Sequence, residues 1–444
     1  MQRSTKRLAL AVSAVLLAAG ALAGCSGDGG GGDDTSDSIA GAELEMWIQN
    51  NAFTDKVIAY GEAWAEENDV DLTITPQPAD NYLPNVVLAL RSNAGPDLWN
   101  GSNPTLRSLA LPLEDLLSDD TLDAYHAYLQ PGGGFNIGGH IIGVPITVNT
   151  QRLAYNRDLF DAAGLDPDAP PTSLDEWRED CEAIAAKTDG YCIGLPTGWS
   201  AFASQYVDSL VEVSTPNLSL NGLFNVTNGK FEMEEYGPVI EFFREAVQEG
   251  WAYPGASSLD NDTMRAAFAN GEIGTFVSAT WDMTELNDKY ATTIDWDAAP
   301  LPTIDGGEAV QQIVTPNNPF LVSQTTKYPE AAAALIDALT SSDFIAELVA
   351  DGSTMAARGD VEIDPAVFGP QYDGYAISEI DGPRLQSPAN VMSIQGDTIY
   401  QAIVALILGD GDIDSTLAQY SESYQKEYDA EVADGTIDPD EYLQ

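Results

Sequence analysis

The sequence predicts an α/β fold, and three observations carry that reading. Strand-like runs alternate with helical patterns along the chain. Turn residues stand at the joints between them. At 444 residues, 44% of them hydrophobic, the chain can fill two domains. Such alternation implies right-handed βαβ crossovers and a parallel sheet, with ligand contacts at the carboxyl ends of its strands.

In chain order, Arg3, Lys6 and Arg7 precede the apolar stretch Leu8–Ala21, too short to span a bilayer comfortably. Leu22-Ala23-Gly24-Cys25 looks like a bacterial lipobox. Residues 1–24 then read as a signal peptide, with Cys25 the lipidated first residue. The alternative is an ordinary signal peptide with Cys25 incidental. Ser26–Ser38 is Gly, Asp, Ser and Thr without an apolar residue, so residues 25–41 read as a flexible tether.

Glu43–Ile48 is the first expected strand, followed by a helix whose face carries Phe53, Val57, Tyr60 and Trp64. Asp71–Thr75 is the second strand, Val86–Leu90 lies in a helix begun after Pro84, and Asp97–Trp99 is the third strand. The ends of these strands carry Trp47, Gln49, Asn50, Asn51, Asp97, Trp99 and Asn100, a set of aromatics, amides and one carboxylate. Gly132–Gly139 is glycine-rich but enters no helix and precedes no Lys-Ser/Thr, so it is no phosphate loop.

Ile141–Val148 is an apolar strand, and Arg157–Ala163 a short helix that stops at Gly164. After the Pro170–Pro171 spacer, Ser173 and Glu176 form a capping box, each side chain satisfying an amide at the helix start. Leu174, Trp177, Cys181 and Ile184 line one face of that helix, which ends at Gly190 before a strand over Tyr191–Leu195. Pro196–Gln205 is a polar and aromatic segment with Trp199 and Phe202. Tyr236–Val247 is an amphipathic helix. Ile273–Val277 is a strand handing over to a helix at Trp281. Asn317–Val322 is a strand, and Tyr328–Leu339, Phe344–Val349, Thr398–Leu408 and Ser415–Tyr428 are helical.

Charge is the extreme feature: 18 Lys and Arg against 70 Asp and Glu, net −52. A nucleic-acid ligand needs a basic face, which this balance excludes. Self-repulsion on this scale is easiest to bear at raised salt. A halophilic source and a lineage of generally acidic exported proteins both fit.

With Cys25 assigned to lipid, Cys181 and Cys192 remain, on a helix and the strand after it. Outside the cell two thiols across so tight a joint should oxidise; the alternative is a pair of small buried thiols. His126 and His140 stand alone without metal-ligand spacing, so neither a metal nor a cofactor is expected. No G-x-S-x-G elbow is present. Paired carboxylates stay open as an enzyme hypothesis only through the abundance of acids.

The stretch over residues 141–195 resembles the extracellular solute-binding proteins of ABC-type sugar importers. Gly143, Val144, Pro145 and Asn149, then Tyr155-Asn156-Arg157-Asp158-Leu159-Phe160, Ala163-Gly164-Leu165, Pro170-Pro171-Thr172 and Asp175-Glu176-Trp177 follow its pattern. Gly95-Pro96-Asp97 and Leu111–Leu117 match earlier elements. Phe268, Gly271 and Trp281 match a second cluster, with Phe276 where the family has methionine and Ala279 where it has glycine. The loop over 352–358, ending in Arg358, resembles a third, with Met355 where proline is common.

The resemblance implies a two-lobe periplasmic-binding-protein fold, each lobe a mostly parallel sheet flanked by helices, hinged on crossover strands. Residues 42–148 plus about 303–342 would form one lobe, and about 149–302 plus about 343–444 the other. It implies a non-enzymatic binding subunit of the maltose- and oligosaccharide-binding type, which captures a sugar and delivers it to membrane permease subunits. The protein would act as a lipid-anchored monomer on the outer face of the cytoplasmic membrane. Sugars present hydroxyl rims and apolar ring faces, which amides, carboxylates and aromatics recognise. The expected binding residues are Trp47, Asn50, Asn51, Asp97, Trp99, Asn100, Asn149, Tyr155, Trp199, Phe202, Trp281, Asn317 and Arg358. Packing is the competing role for the aromatics, Trp199 among them. A binding protein for a polyol or compatible solute, or a surface-anchored glycan-active enzyme, are the other readings.

Overall fold

The computed structural model describes residues 39–443 other than 52, 79, 80, 131–133 and 138. The expected leader, Cys25 and the expected tether up to Ser38 lie outside the described residues, as does part of the glycine-rich loop. Strand β1 (Glu43–Gln49) buries Leu44, Met46 and Ile48 at alternate positions, the period of a pleated strand. Helix α1 (Thr54–Asn68) covers that face with Val57, Gly61 and Ala65. Strand β2 (Asp71–Gln77) pairs parallel to β1. Helix α2 (Tyr82–Arg91) starts before Pro84 rather than after it, because a proline in the first helical turn gives up no hydrogen bond. Strand β3 (Leu98–Asn100) then pairs parallel to β1 on its other side.

The next strand organises the molecule. The apolar reading ends it at Val148, but β4 runs from Val144 to Asn156 with all 13 residues buried. Much of its polar half survives burial through partners on distant elements. Thr150 is held by Thr280 Oγ1 and by the Tyr375 carbonyl, at 2.7 Å. All five guanidinium N–H groups of Arg152 are used, on both oxygens of Asp381 and on the carbonyls of Gly374, Ala376 and Gln151.

Helix α3 (Arg157–Ala163) closes on Gly164, whose φ of 73° lies in the left-handed region. Helix α4 (Leu174–Lys187) buries the four residues of the expected stripe. Only half of its capping box forms. Ser173 Oγ accepts from the Glu176 amide, whereas the Glu176 carboxylate accepts from the amide and hydroxyl of Thr172. The helix ends at Lys187, before Gly190, and β5 follows over Tyr191–Ile193. A disulfide joins Cys181 on α4 to Cys192 on β5.

Strands β6 (Ile273–Ala279), β7 (Trp296–Ala299), β8 (Gln312–Val322), β9 (Met355–Ala356) and β10 (Asp381–Pro383) complete one ten-stranded sheet. Its main order is β2-β1-β3-β8-β4-β6-β5, with β7 and β9 on β4 and β10 on β8. Pairing is parallel toward both ends, and antiparallel where β8 and β4 cross the middle. The first half of β4 (residues 144–150) pairs with β8, and its second half (151–156) with β6 and β7. One strand thus serves two half-sheets, which is the α/β two-lobe architecture with crossover strands. Among the described residues no helix is long and apolar enough to cross a membrane.

Candidate functional site

Where β4 and β8 cross, polar side chains on neighbouring strands face one cavity of about 180 Å³. Asn149 and Thr147 stand two residues apart on β4, opposite Thr315 and Asn317 of β8. Asn318, held at a φ of 51°, donates from Nδ2 to Thr147 Oγ1 at 2.9 Å. Asn51 closes the wall from the carboxyl end of β1. Its Oδ1 accepts from the Phe53 amide at 3.1 Å and the Thr54 hydroxyl at 3.2 Å, which fixes the amide at the start of α1. The segment over 352–354 completes the rim with Phe368. Gly352 cannot be replaced there, since a Cβ would stand 2.3 Å from the Val367 carbonyl oxygen.

The opposite wall is Trp281, half-buried in helix α5 (Thr280–Thr284), which begins where β6 ends. Asp282 fixes that handover. Its Oδ2 accepts from the Ala279 amide at 2.9 Å and from Ser278 Oγ at 3.0 Å, and its Oδ1 accepts from Arg265 Nε at 2.5 Å. Burial pushes the Asp282 carboxyl up, and the Arg265 charge opposes the rise. Ala279 sits at φ −138°, extended backbone that any residue adopts, so alanine in place of the family's glycine costs the turn nothing. On the other side of Trp281, a narrow crevice brings it together with Trp199, Gln151 and Gln205. Gln151 Nε2 donates to Gln205 Oε1, while Gln151 Oε1 has no protein partner.

Of the thirteen expected residues the cavity therefore gathers Asn51, Asn149, Trp281 and Asn317, and the crevice adds Trp199. The structure places the others elsewhere. Trp99 and Phe202 are fully buried in the core, and Tyr155 packs on Phe160 there. Asp97 pins β1 and the β8 exit, accepting from the Glu45 amide and the Thr326 hydroxyl. Asn100 is buried and accepts from the Gln49 amide. Trp47 donates its indole N–H to Glu45, and Asn50 is exposed beside the cavity rather than in its wall. Arg358 is a structural tie, bidentate to Asp120 and to Asp360 and bonded to the Thr340 carbonyl. Thr147, Thr280, Asn318 and Thr354 line the cavity without having been singled out. For Thr147 a signal was available: polar residues at i and i+2 inside an otherwise apolar strand.

A second and larger cavity, about 410 Å³, holds none of the expected residues. Arg107 and the hairpin around His140 wall it on one side, and residues 386–391 and 436–442 on the other.

The chain matches the family of bacterial extracellular solute-binding proteins over residues 50–344. Among curated relatives, it is 24% identical over 259 residues to the sn-glycerol-3-phosphate-binding periplasmic protein UgpB of Yersinia enterocolitica, covering 55% of this chain and 56% of that one. The chain spans about half the length of the curated relatives it matches. Among solved structures, the sugar-binding protein MalE of Xanthomonas citri superposes with a TM-score of 0.69 at 16% identity, over 89% of this chain and all of that one. The cyclic alpha-maltosyl-1,6-maltose binding protein of Arthrobacter globiformis gives 0.67 at 16% identity, over 87% and 98%. Such identities speak for the fold alone; the family match spans well over half of the sequence, and on it the chain belongs to the bacterial extracellular solute-binding proteins.

Proposed function

We propose that the protein is the substrate-binding subunit of an ABC importer, capturing a sugar, an oligosaccharide for preference, and handing it to membrane permease subunits. One observation carries the reading: a half-buried indole, Trp281, lines one cavity together with three amides, Asn51, Asn149 and Asn317. An aromatic face suits the C–H side of a pyranose, and fixed amides both donate to and accept from its hydroxyls. The names of the fold neighbours, a sugar-binding protein and a maltosyl-maltose binder, point the same way. In this reading residues 42–148 with about 303–342, and about 149–302 with about 343–444, are the two lobes. Closure is a hinge motion at the β4–β8 crossing. Lipidation of Cys25 would hold the protein as a monomer at the membrane surface, and Cys25→Ser should release it without loss of binding.

The second reading is another polar solute, a polyol or its phosphate, which the UgpB relatives favour by name. A thermal-shift panel of mono- and oligosaccharides, polyols and compatible solutes separates the two. A saturable shift with sugars, lost in Trp281→Ala, supports the first. A response confined to polyols, or none to any sugar, overturns it.

A further inference from the structure

Arg107 ends the short helical turn Pro104–Arg107, on the wall of the 410 Å³ cavity. Its guanidinium is held by neutral groups. Nε donates to Ser102 Oγ at 3.0 Å and Nη1 to Gln386 Oε1 at 2.9 Å. Among the described residues its other three N–H groups have no protein acceptor, and no carboxylate reaches ion-pair distance. The more deeply buried arginines differ: Arg152, Arg265, Arg358 and Arg384 each stand against an acid. Arg244, half-buried and also without an acid, differs in being held by the carbonyls of Leu406 and Gly411. Burial also pushes the Arg107 guanidinium down from its ordinary value, with Tyr442 acting the other way. The lining's one carboxylate, Glu441, is exposed and makes no ion pair with Arg107.

We infer that this cavity is a second ligand site, for a solute whose anionic group, a phosphate or a carboxylate, seats on Arg107. A guanidinium with free N–H groups matches either anion in a bidentate fork. The amides of Asn136 and Asn390 would meet hydroxyls, and Ile142 and Ile437 give the carbon skeleton an apolar wall. The cavity shares no lining residue with the one at Trp281, so the inference does not rest on the sugar reading. Long-range repulsion by the net charge opposes any anion, and salt screens that field more than it screens a pair inside a cavity.

The test is calorimetric titration of the whole chain with glucose 6-phosphate, glucuronate and maltotriose in about 1 M NaCl, where the Debye length is about 3 Å. At least one of the two anions should bind saturably, and which one binds tighter separates phosphate from carboxylate. Arg107→Gln should weaken that anion about 10- to 100-fold, as expected for charged hydrogen bonds, with Arg107→Lys between. Asn390→Asp, which sets a carboxylate on the opposite wall, should weaken it too and serves if Arg107→Gln fails to fold. Trp281→Ala should leave the anion's affinity unchanged. Maltotriose reports the other cavity separately. The inference is overturned if neither anion binds, if both wall substitutions leave the affinity within twofold, or if Trp281→Ala abolishes it.

Discussion

Trp281 reaches the cavity because Asp282, one residue on, ties the start of its helix to the Ala279 amide, Ser278 and Arg265. The indole is thus placed by its neighbours' bonds rather than by its own packing. Stacking a sugar on it should be worth about 2–3 kcal/mol. Trp281→Ala should then weaken sugar affinity about a hundredfold with little change in melting temperature. Unchanged affinity together with a large drop in stability would make Trp281 a core residue instead. A second residue carries a pH signature. Glu212 is fully buried, and Arg384 Nε lies 3.2 Å from its Oε2 without the alignment of a hydrogen bond. Burial, with Asp208 adding to it and Arg384 opposing, pushes the Glu212 carboxyl up to about 8, against about 4.3 in an unfolded chain. Between those values the folded state holds the proton that the unfolded state has lost, so this group's contribution to stability falls as pH rises through the window. Glu212→Gln should flatten the slope of unfolding free energy between about pH 5 and pH 8. An unaltered slope would mean that the proton sits elsewhere.

At the scale of elements, the chain shows what a linear reading can and cannot supply. Caps and stripes were legible: Ser173 caps its helix, Gly164 ends one in a left-handed turn, and Leu174, Trp177, Cys181 and Ile184 face inward. These depend on neighbours within a turn or two. The length of β4 was not legible, because Thr150 and Arg152 are paid for by Tyr375, Gly374 and Asp381, more than 200 positions later. For the same reason Trp99 and Phe202 looked like cleft residues. A strand end or a loop can be read from sequence, but the face it turns to the core depends on elements folded over it. Two predictions belong here. Arg152→Ala leaves Asp381 buried and unpaired, and should cost about 3–5 kcal/mol in urea unfolding. A cost under about 1 kcal/mol would show that water replaces the guanidinium. Breaking Cys181–Cys192, which closes a loop 11 positions long, should cost about 2–3 kcal/mol. Equal stability of the oxidised protein and a Cys181→Ala/Cys192→Ala variant would remove the bond from any account of stability.

For the whole molecule the governing quantity is the net charge of −52. The 18 basic residues cannot neutralise 70 acids, and some are committed inside the fold to Arg152–Asp381 and Arg265–Asp282. The surplus carboxylates repel one another across the surface, and folding brings them closer than the unfolded chain does. Salt acts on this term selectively. Raising the ionic strength from about 0.1 M to 1 M shortens the Debye length from about 10 Å to about 3 Å, which screens exposed charges while leaving the buried pairs almost untouched. The melting temperature should therefore climb over that range in NaCl, and the climb should survive Arg152→Ala, which lowers the whole curve without changing its slope. Melts in sucrose, which favours the compact state without screening charge, separate electrostatics from solvent exclusion. A further rise between about 1 M and 3 M, where screening is already complete, would favour a protein adapted to brine. A plateau by about 1 M would favour the plain reading of an acidic exported surface, and a flat response from the start would mean that the charge is not what limits stability.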